Sequence, residues 1–292
     1  MSYTPPVHDI AFALRHTAGM DALLKSGAFA DLDAGDVEAI LSEAGKFMGS
    51  VLAPLNRVGD AAPATLKDGT VTVPPGWGQA YEQWAAGGWC GLSAPEEFGG
   101  QALPTALNAA VAEMFNAANM AFGVGPLLTQ GAVEALVAHG SEALKATYLP
   151  KLVSGQWAGT MNLTEPQAGT DLAALKTRAT RAGDGSYKIT GTKIFITYGE
   201  HEMTENIIHL VLARLDDAPE GVKGISLFVV PKFLVNDDGS LGARNDVKCI
   251  GLEHKLGLHA SPTCVMAYGE GGGAGGYLVG QEHTGLAAMF TM

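Results

Sequence analysis

The sequence predicts an α+β protein, in which an all-helical domain comes first and a β-domain of antiparallel strands follows. Alanine, a strong helix former, is concentrated early: residues 1–158 contain 31 alanines and residues 159–292 contain 13. Valine, isoleucine and threonine cluster in the later part, which favours strands. We therefore assign residues 1–158 to an N-terminal helical domain and residues 159–281 to a middle β-domain.

Apolar residues recur every three or four positions in the helical part, which places them on one face of a helix. One such stripe runs from Val37 to Leu55, and Asp33 or Asp36 can cap its first turn by accepting backbone N–H groups. Ser141 can cap a later helix that Pro150 is expected to stop or kink. Further helical segments are predicted at 107–114, 131–139 and 142–149, of which the last is the helix capped by Ser141.

Short apolar or alternating runs characterise the β-domain, and turn residues separate them at the spacing of antiparallel strands. Between Arg181 and Tyr277 there is little room for the crossover helices of a parallel sheet, which argues against a doubly wound nucleotide fold. The predicted strands are 160–163, 187–190, 193–197, 207–215, 225–230 and 263–268.

The composition excludes several classes of protein. The chain has 292 residues, with 18 Lys and Arg against 30 Asp and Glu, and a formal net charge of −12, which argues against sequence-blind nucleic-acid binding. The three cysteines form no CxxC pair, so we expect neither a disulfide framework nor a zinc site. No apolar run reaches the ~20 residues of a membrane span and no signal peptide is evident. We therefore expect a soluble, cytoplasmic protein.

Two other motifs favour structural roles over chemistry. Gly271, Gly273 and Gly276 satisfy GxGxxG, but no helix follows that could direct its N-terminus at a pyrophosphate, so this segment is interpreted as a flexible hairpin tip. His254 and His259 lie near no further candidate ligands, and Gly257 interrupts any helix between them. We predict no metal site.

The segment MNLTEPQAGTDL, residues 161–172, is the strongest candidate for a functional site. It begins as a strand, breaks at Pro166 and Gly169, and presents Thr164, Thr170 and backbone N–H groups on an irregular loop. Such a loop suits a planar polar heterocycle with a phosphate tail, because backbone donors can contact ring edges while a hydroxyl contacts the phosphate. On these residues alone, a loop without a ligand is an equally good interpretation.

This segment resembles the (C/M)xLTEPxAGSDL signature of the acyl-CoA dehydrogenase family. Three further segments resemble family elements in the same order and spacing: SAPEEFGG at 93–100, GTKIFITYG at 191–199 and EHKLGLHASPT at 253–263. The lead-in YTPPVHDIAFAL, with HEMTENIIHLVLARL and GVKGISLFVVPKFLV, is most similar to the longer branch that includes 3-methylmercaptopropionyl-CoA dehydrogenase. The resemblance covers nearly the whole chain.

The resemblance implies a helical N-terminal domain, a middle β-domain of two packed antiparallel sheets, a C-terminal helical bundle, and FAD as the cofactor. By the family pattern, the backbone of Met161, Leu163 and Thr164 contacts the flavin ring, and the Thr164 hydroxyl is available to it. Thr170 replaces the usual Ser and keeps a hydroxyl for the pyrophosphate or the acyl-CoA.

On the second segment, Phe195 stands where many members of the family have Trp against the flavin. Ile196 and Thr197 are expected to continue this contact near the flavin N5 edge. Each of these residues also has a purely structural interpretation, and that alternative is strongest for Ile196, which can be ordinary strand core.

Residues 282–292 resemble the start of the family's C-terminal bundle, which is otherwise missing from this sequence. In the family, that bundle supplies the catalytic carboxylate and most of the oligomer interface. Neither Glu165, inside the loop signature, nor Glu282, at the bundle entry, matches the motif of the base. We therefore expect the catalytic base beyond Met292 and no turnover by residues 1–292.

For the intact enzyme the resemblance implies FAD-dependent α,β-dehydrogenation of an acyl-CoA thioester, with electrons passed to an electron-transfer flavoprotein. It also implies a homo-oligomer. The alternatives are an acyl-CoA oxidase or a flavin hydroxylase on the same scaffold, or a non-enzymatic binding module. The acyl chain that is accepted cannot be predicted from these residues.

Overall fold

A computed structural model describes residues 3–292 of the chain. A small hairpin of β1 (Thr65–Lys67) and β2 (Thr70–Thr72) interrupts the helices of the first part. The helices α1 to α5 and the first part of α6 share one apolar core that contains Trp77, Trp84 and Phe115. The helices of this part are α1 (Val7–His16), α2 (Met20–Lys25), α3 (Ala34–Phe47), α4 (Ala53–Ala61), α5 (Trp77–Ala86), α6 (Thr105–His139) and α7 (Glu142–Val153).

The predicted cap of α3 is confirmed, and both candidate aspartates take part in it. Asp33 Oδ1 accepts the N–H of Asp36, and Asp36 Oδ2 accepts the N–H of Asp33, each at 2.9 Å, which is a reciprocal capping box. The stripe then continues through a π-helical turn at Met48–Leu52 into α4. Pro54 follows this turn and has no N–H to donate to the preceding turn, which is a physical reason for the local widening.

Asn119 divides α6 into two helical segments. Its backbone is non-helical, with φ −160° and ψ 85°, and its buried side chain donates to the carbonyl of Leu52 at 3.2 Å. The side-chain oxygen accepts the N–H of Phe122 at 3.1 Å, so Asn119 is the N-cap of the second segment. Within residues 3–292, only α6 is long and apolar enough to cross a membrane, but 61% of its most apolar window is buried inside the protein.

The α7 helix begins as predicted, because Ser141 Oγ accepts the N–H of Leu144 at 3.3 Å. Of the two outcomes expected at Pro150, a stop or a kink, the stop is wrong, since α7 continues to Val153. Leu149, Leu152 and Val153 are all buried, so tertiary packing holds the last turn despite the proline.

The second part of the chain forms the β-domain and ends in a short helix. The main sheet has the order β10-β11-β5-β12-β7-β6-β3, and β4 pairs with both β5 and β6. The strands β4, β5, β12, β7 and β6 therefore form a closed ring. The elements are β3 (Trp157–Asn162), β4 (Arg178–Arg181), β5 (Tyr187–Thr197), β6 (Asn206–Leu215), β7 (Ile225–Pro231), β8 (Phe233–Val235), β9 (Leu241–Arg244), β10 (Val247–Leu252), β11 (Thr263–Tyr268), β12 (Ala274–Val279) and α8 (Gly285–Met289).

The pairing is mostly antiparallel, as expected, but β3 and β4 both run parallel to β6. Trp157 pairs with Asn206 and Asn162 with Val211. A hairpin turn would force the antiparallel direction, whereas the chain reaches β6 from β3 only after passing through β4 and β5. The turn pattern could not have predicted this direction.

Two of the interpreted segments differ from the structure, and the strands β1, β2, β4, β8, β9 and β10 were not predicted. The runs 187–190 and 193–197 form one strand, β5, whose first half pairs with β4 and β12 and whose second half pairs with β11. The glycine-rich segment is a turn only at its start, because Ala274–Val279 forms β12 between β5 and β7. A Cβ at Gly276 would lie 2.9 Å from the Ile189 side chain, so glycine there permits close packing rather than flexibility.

Alternate residues of β6 face two different cores. Ile208, Leu210 and Leu212 belong to a cluster with residues of α6 and α7, whereas Val211 and Ala213 belong to a cluster with residues of β10 and β11. This second cluster fills the space between two strand layers, which is the packing of two sheets that the family resemblance implied.

Candidate functional site

The candidate site begins where β3 ends, at a loop that runs from Leu163 to Thr177. A tight turn opens the loop, in which Glu165 and Ala168 exchange two backbone hydrogen bonds of 3.0 Å. Further along, the Arg214 side chain donates to the carbonyls of Leu175 at 3.0 Å and Ala173 at 2.8 Å. The loop is therefore irregular but held by specific hydrogen bonds at both ends.

Glu165 closes this loop and links it to β5. Its carboxylate is only 3% exposed and accepts the N–H of Lys176 at 2.7 Å, the N–H of Thr177 at 3.0 Å and the Thr177 hydroxyl at 2.6 Å. Lys193 of β5, which is fully buried, donates from Nζ to Glu165 Oε1 at 2.8 Å and to the Leu163 carbonyl at 2.9 Å.

The electrostatics of this pair follow from burial and close contact. Burial works to raise the pKa of the Glu165 carboxyl, but the charge of Lys193 and the surrounding hydrogen bonds outweigh it and lower that pKa. Burial lowers the pKa of Lys193, while the neighbouring carboxylate acts in the opposite direction. The sequence did not identify either residue as part of the site. Two signals were available: both residues lie inside the quoted motif segments, 161–172 and 191–199, and the alternation of β5 places Lys193 on the inward face.

The structure brings the two predicted segments together. The N–H of Ile194 donates to the carbonyl of Thr164 at 2.9 Å, next to the contact between Lys193 and Leu163. Met161, at the end of β3, pairs with Leu210. The segments that the resemblance assigned to one flavin are therefore adjacent in space.

Phe195 is an exposed aromatic residue on a β-bulge. Lys193 pairs with Met266 and Ile196 pairs with Cys264. Two residues of β5 therefore lie opposite one residue of β11 between these pairs, which defines the bulge. Phe195 has φ +60°, in the left-handed region that L residues rarely adopt, and its side chain is 56% exposed. The bulge turns this ring towards solvent instead of into the core.

The other predicted residues differ in accessibility. Met161, Leu163, Thr164 and Thr197 are partly buried and Thr170 is exposed. Ile196 is 2% exposed and lies in the core cluster of the two sheets, so only its backbone could meet a ligand. Unlike Thr177, whose hydroxyl donates to Glu165, the hydroxyls of Thr164, Thr170 and Thr197 form no hydrogen bond within residues 3–292.

We call the predicted residues 161, 163, 164, 170 and 195–197 the platform. Thr170 and Phe195 are exposed, so the platform is open to solvent. A groove of about 580 Å³ lies between α7 and the β8–β9 hairpin and contains none of the predicted site residues. The residues present suit a flavin, because the exposed Phe195 ring follows Ile194, whose N–H contacts the Thr164 carbonyl of the fixed loop. Flat π-systems pack on exposed aromatic faces, and the hydroxyls can reach ring edges or phosphate.

A buried polar network supports the end of β3. The Asn162 side chain donates to Thr160 Oγ1 at 2.9 Å, Tyr268 donates to Asn162 Oδ1 at 2.7 Å, and Thr160 Oγ1 lies 2.7 Å from His209 Nδ1. Burial lowers the pKa of His209 to about 3, and the charge of Lys232 acts in the same direction. His209 is therefore neutral at pH 7.

Family descriptions match both parts of the chain. The acyl-CoA dehydrogenase N-terminal domain matches residues 36–156, and the acyl-CoA dehydrogenase middle domain matches residues 160–269. The 3-methylmercaptopropionyl-CoA dehydrogenase of Ruegeria pomeroyi is 51% identical over 292 residues, covering 100% of this chain and 49% of that protein. A butyryl-CoA dehydrogenase of Syntrophomonas wolfei is 36% identical, covering 100% of this chain and 49% of that protein.

Similarity to solved structures supports the same fold. The structure of Caenorhabditis elegans ACDH-11 in complex with C11-CoA has a TM-score of 0.77 at 21% identity, covering 99% of this chain and 49% of that chain. The chain thus spans about half the length of the curated relatives that it matches. On its sequence motifs, its fold and these matches, the chain belongs to the acyl-CoA dehydrogenase family and contains the N-terminal and middle domains of that family.

Proposed function

We propose that the protein takes part in FAD-dependent α,β-dehydrogenation of an acyl-CoA thioester to the 2-enoyl-CoA. The observation that carries this proposal is the contact between the loop at 163–177 and the bulged segment of β5, which places Thr164 and Phe195 on neighbouring backbones. Family membership and the names of the two relatives support the reaction class.

Each residue of the platform has a role in this proposal. Phe195 offers its exposed face to the flavin ring, and the backbone of Met161, Leu163 and Thr164 borders that ring. Thr164 and Thr197 donate to polar ring edges, and Thr170 donates to the pyrophosphate or the acyl-CoA. FAD, when bound, supplies the acceptor for the hydride that leaves the β-carbon of the acyl group.

The α-proton requires a separate base. Glu165 is the carboxylate of the flavin loop, but its oxygens are occupied by Lys193, Lys176 and Thr177, and its pKa is lowered, which makes it a poor base. We infer that residues 1–292 alone bind FAD without turning over acyl-CoA, and that the base lies elsewhere in the complete enzyme. We also propose a homo-oligomer, a cytoplasmic location, and an electron-transfer flavoprotein as electron acceptor.

A spectroscopic titration tests this function. The complete enzyme should be yellow, and adding butyryl-CoA or 3-methylmercaptopropionyl-CoA without an acceptor should bleach its visible flavin band. The 1–292 chain should bind FAD and show no bleaching. An unbleached complete enzyme with every acyl-CoA tested would contradict the proposal, and oxygen consumption without an added acceptor would favour an oxidase instead.

A further inference from the structure

The Leu163 carbonyl is held by a side chain rather than by a neighbouring strand. Lys193 Nζ donates to it at 2.9 Å, and the same ammonium donates to Glu165 Oε1 at 2.8 Å. Since Lys193 is fully buried and Glu165 is 3% exposed, water does not compete for either contact. The position of this carbonyl therefore depends on the ion pair.

The direction of one carbonyl fixes the direction of the next amide. No cis peptide bond occurs among residues 3–292, so the C=O of Leu163 and the N–H of Thr164 point to opposite sides of one planar unit. When Lys193 holds the carbonyl towards the interior, the Thr164 N–H must point away from Lys193. That N–H belongs to the residue to which we assign donation to the flavin edge.

Glu165 extends the same constraint across the loop. Its carboxylate accepts both backbone N–H groups at the end of the loop, those of Lys176 and Thr177, 11 and 12 residues further along the chain. One side chain thus joins the two ends of the loop that carries Thr170, and through Lys193 it joins the loop to the strand that carries Phe195.

We propose that Glu165 and Lys193 act as a positioning pair, which fixes the Thr164 amide and the flavin loop against the bulge of β5 before FAD binds. This inference rests on the proposed function and assigns no chemical step to either residue. Preorganisation of this kind increases affinity, because binding no longer has to order the loop.

Stability alone is a weak reason for a buried ion pair here. Removing two charges from water is unfavourable, and buried pairs can often be replaced by apolar or neutral groups of similar volume at little cost in stability. Removal of one partner is different, since the other charge then remains buried and unpaired. The double replacement therefore removes the positioning contacts without leaving an unpaired buried charge, so its effect on FAD binding can be measured in a folded protein.

The experiment compares the double variant Glu165→Gln with Lys193→Met against wild type and a matched control. Glu200→Gln serves as the control, because Glu200 is also 3% exposed and also pairs with cations, Lys232 and Arg244, but has no contact with the flavin loop. FAD dissociation constants come from flavin fluorescence, the flavin environment from its visible spectrum and reduction potential, and stability from urea unfolding of the FAD-free chain.

We expect the double variant to fold and to bind FAD at least roughly tenfold more weakly, with a shifted flavin potential, since small displacements of binding groups have large effects. The control should bind within about twofold of wild type, although it loses a buried charge pair. If the double variant fails to fold, the single variant Glu165→Gln carries the same expectation, because its amide oxygen can still accept the N–H groups of Lys176 and Thr177 while its lost charge no longer holds Lys193.

Wild-type affinity and potential in a folded double variant would overturn the positioning role and leave the proposed function intact. Equal weakening by Glu200→Gln would also overturn it, since the effect would then belong to any buried pair of this domain. Absence of FAD binding by wild type would overturn both the positioning role and the flavin site, which distinguishes the two failures.

Discussion

Replacement of Phe195 by glycine and, in parallel, by alanine tests the conformation on which the candidate site depends. Both changes remove the aromatic ring, so their difference reports only on the backbone. Phe195 has φ +60° on the bulge of β5, a conformation that costs an L residue roughly 1–2 kcal/mol and glycine almost nothing. Glycine has the opposite disadvantage in a strand, roughly 0.5–1 kcal/mol from its greater freedom in the unfolded chain.

The balance favours glycine at this position. We expect the FAD-free Phe195→Gly variant to be more stable than Phe195→Ala by about 0.5–1 kcal/mol, which reverses the usual order in a strand. Because the ring is 56% exposed in the absence of a ligand, neither variant should approach the roughly 3–5 kcal/mol loss of a buried Phe→Ala change. Urea unfolding of the FAD-free chain, followed by circular dichroism, measures both differences.

FAD binding should depend on the aromatic ring and not on the choice between glycine and alanine. Both small variants lose the face on which the flavin would pack and should bind FAD much more weakly, whereas Phe195→Trp keeps an aromatic face and should bind at least as well as wild type. An alanine variant as stable as the glycine variant would refute the left-handed backbone. Unchanged FAD affinity in both small variants would refute the assignment of Phe195 to the flavin.

Three further predictions concern the frame around the site. Asn119→Ala should reduce the free energy of unfolding in urea by about 1–3 kcal/mol, because it leaves buried backbone groups unsatisfied at the N-cap of the second α6 segment; a loss below that range would contradict the capping role. Gly285→Ala should destabilise strongly, since its Cβ would lie 2.2 Å from the Ser226 backbone, whereas Gly78→Ala, with open space at its Cβ, should raise stability by about 0.5–1 kcal/mol in the same assay. The pKa of His209 is lowered to about 3 in the folded state. Below about pH 6.5 the unfolded chain therefore takes up a proton at His209 that the folded chain does not, and the folded state loses stability as the pH falls. The His209→Gln variant should therefore lose stability less steeply than wild type between pH 6.5 and pH 3, and parallel stability curves would contradict the lowered pKa.

The sequence was sufficient where a local rule decides the structure. The Asp33 and Asp36 cap follows from side chains within one helical turn, and the Ser141 cap does so as well. The flavin-loop motif also identified a segment that is irregular and well anchored. The loop motif at 161–172 and the segment at 191–199 were expected to meet only because of the family resemblance, and the structure shows a contact between Thr164 and Ile194.

Local rules failed where packing or long-range pairing decides. Pro150 did not end α7, because buried residues on both sides of it hold the last turn in place. Gly276 lies in a central strand instead of a hairpin tip, because the Ile189 side chain approaches too closely there for another side chain. For Ile196, the sequence left flavin contact and strand core open, and the structure places its side chain in the core.

By itself, the sequence determined the order of a helical and a β-rich part, the position of the irregular loop after β3 and the residue types on it. Periodicity, capping and motif spacing are properties of neighbouring residues, which the chain encodes directly. Only the tertiary structure decided that Lys193 lies buried against Glu165, that Phe195 faces solvent on a bulge, and that β3 and β4 run parallel to β6. These features depend on contacts between residues far apart in sequence. The packing of the helices and strands as a whole sets which residues pair, and no local sequence pattern encodes it.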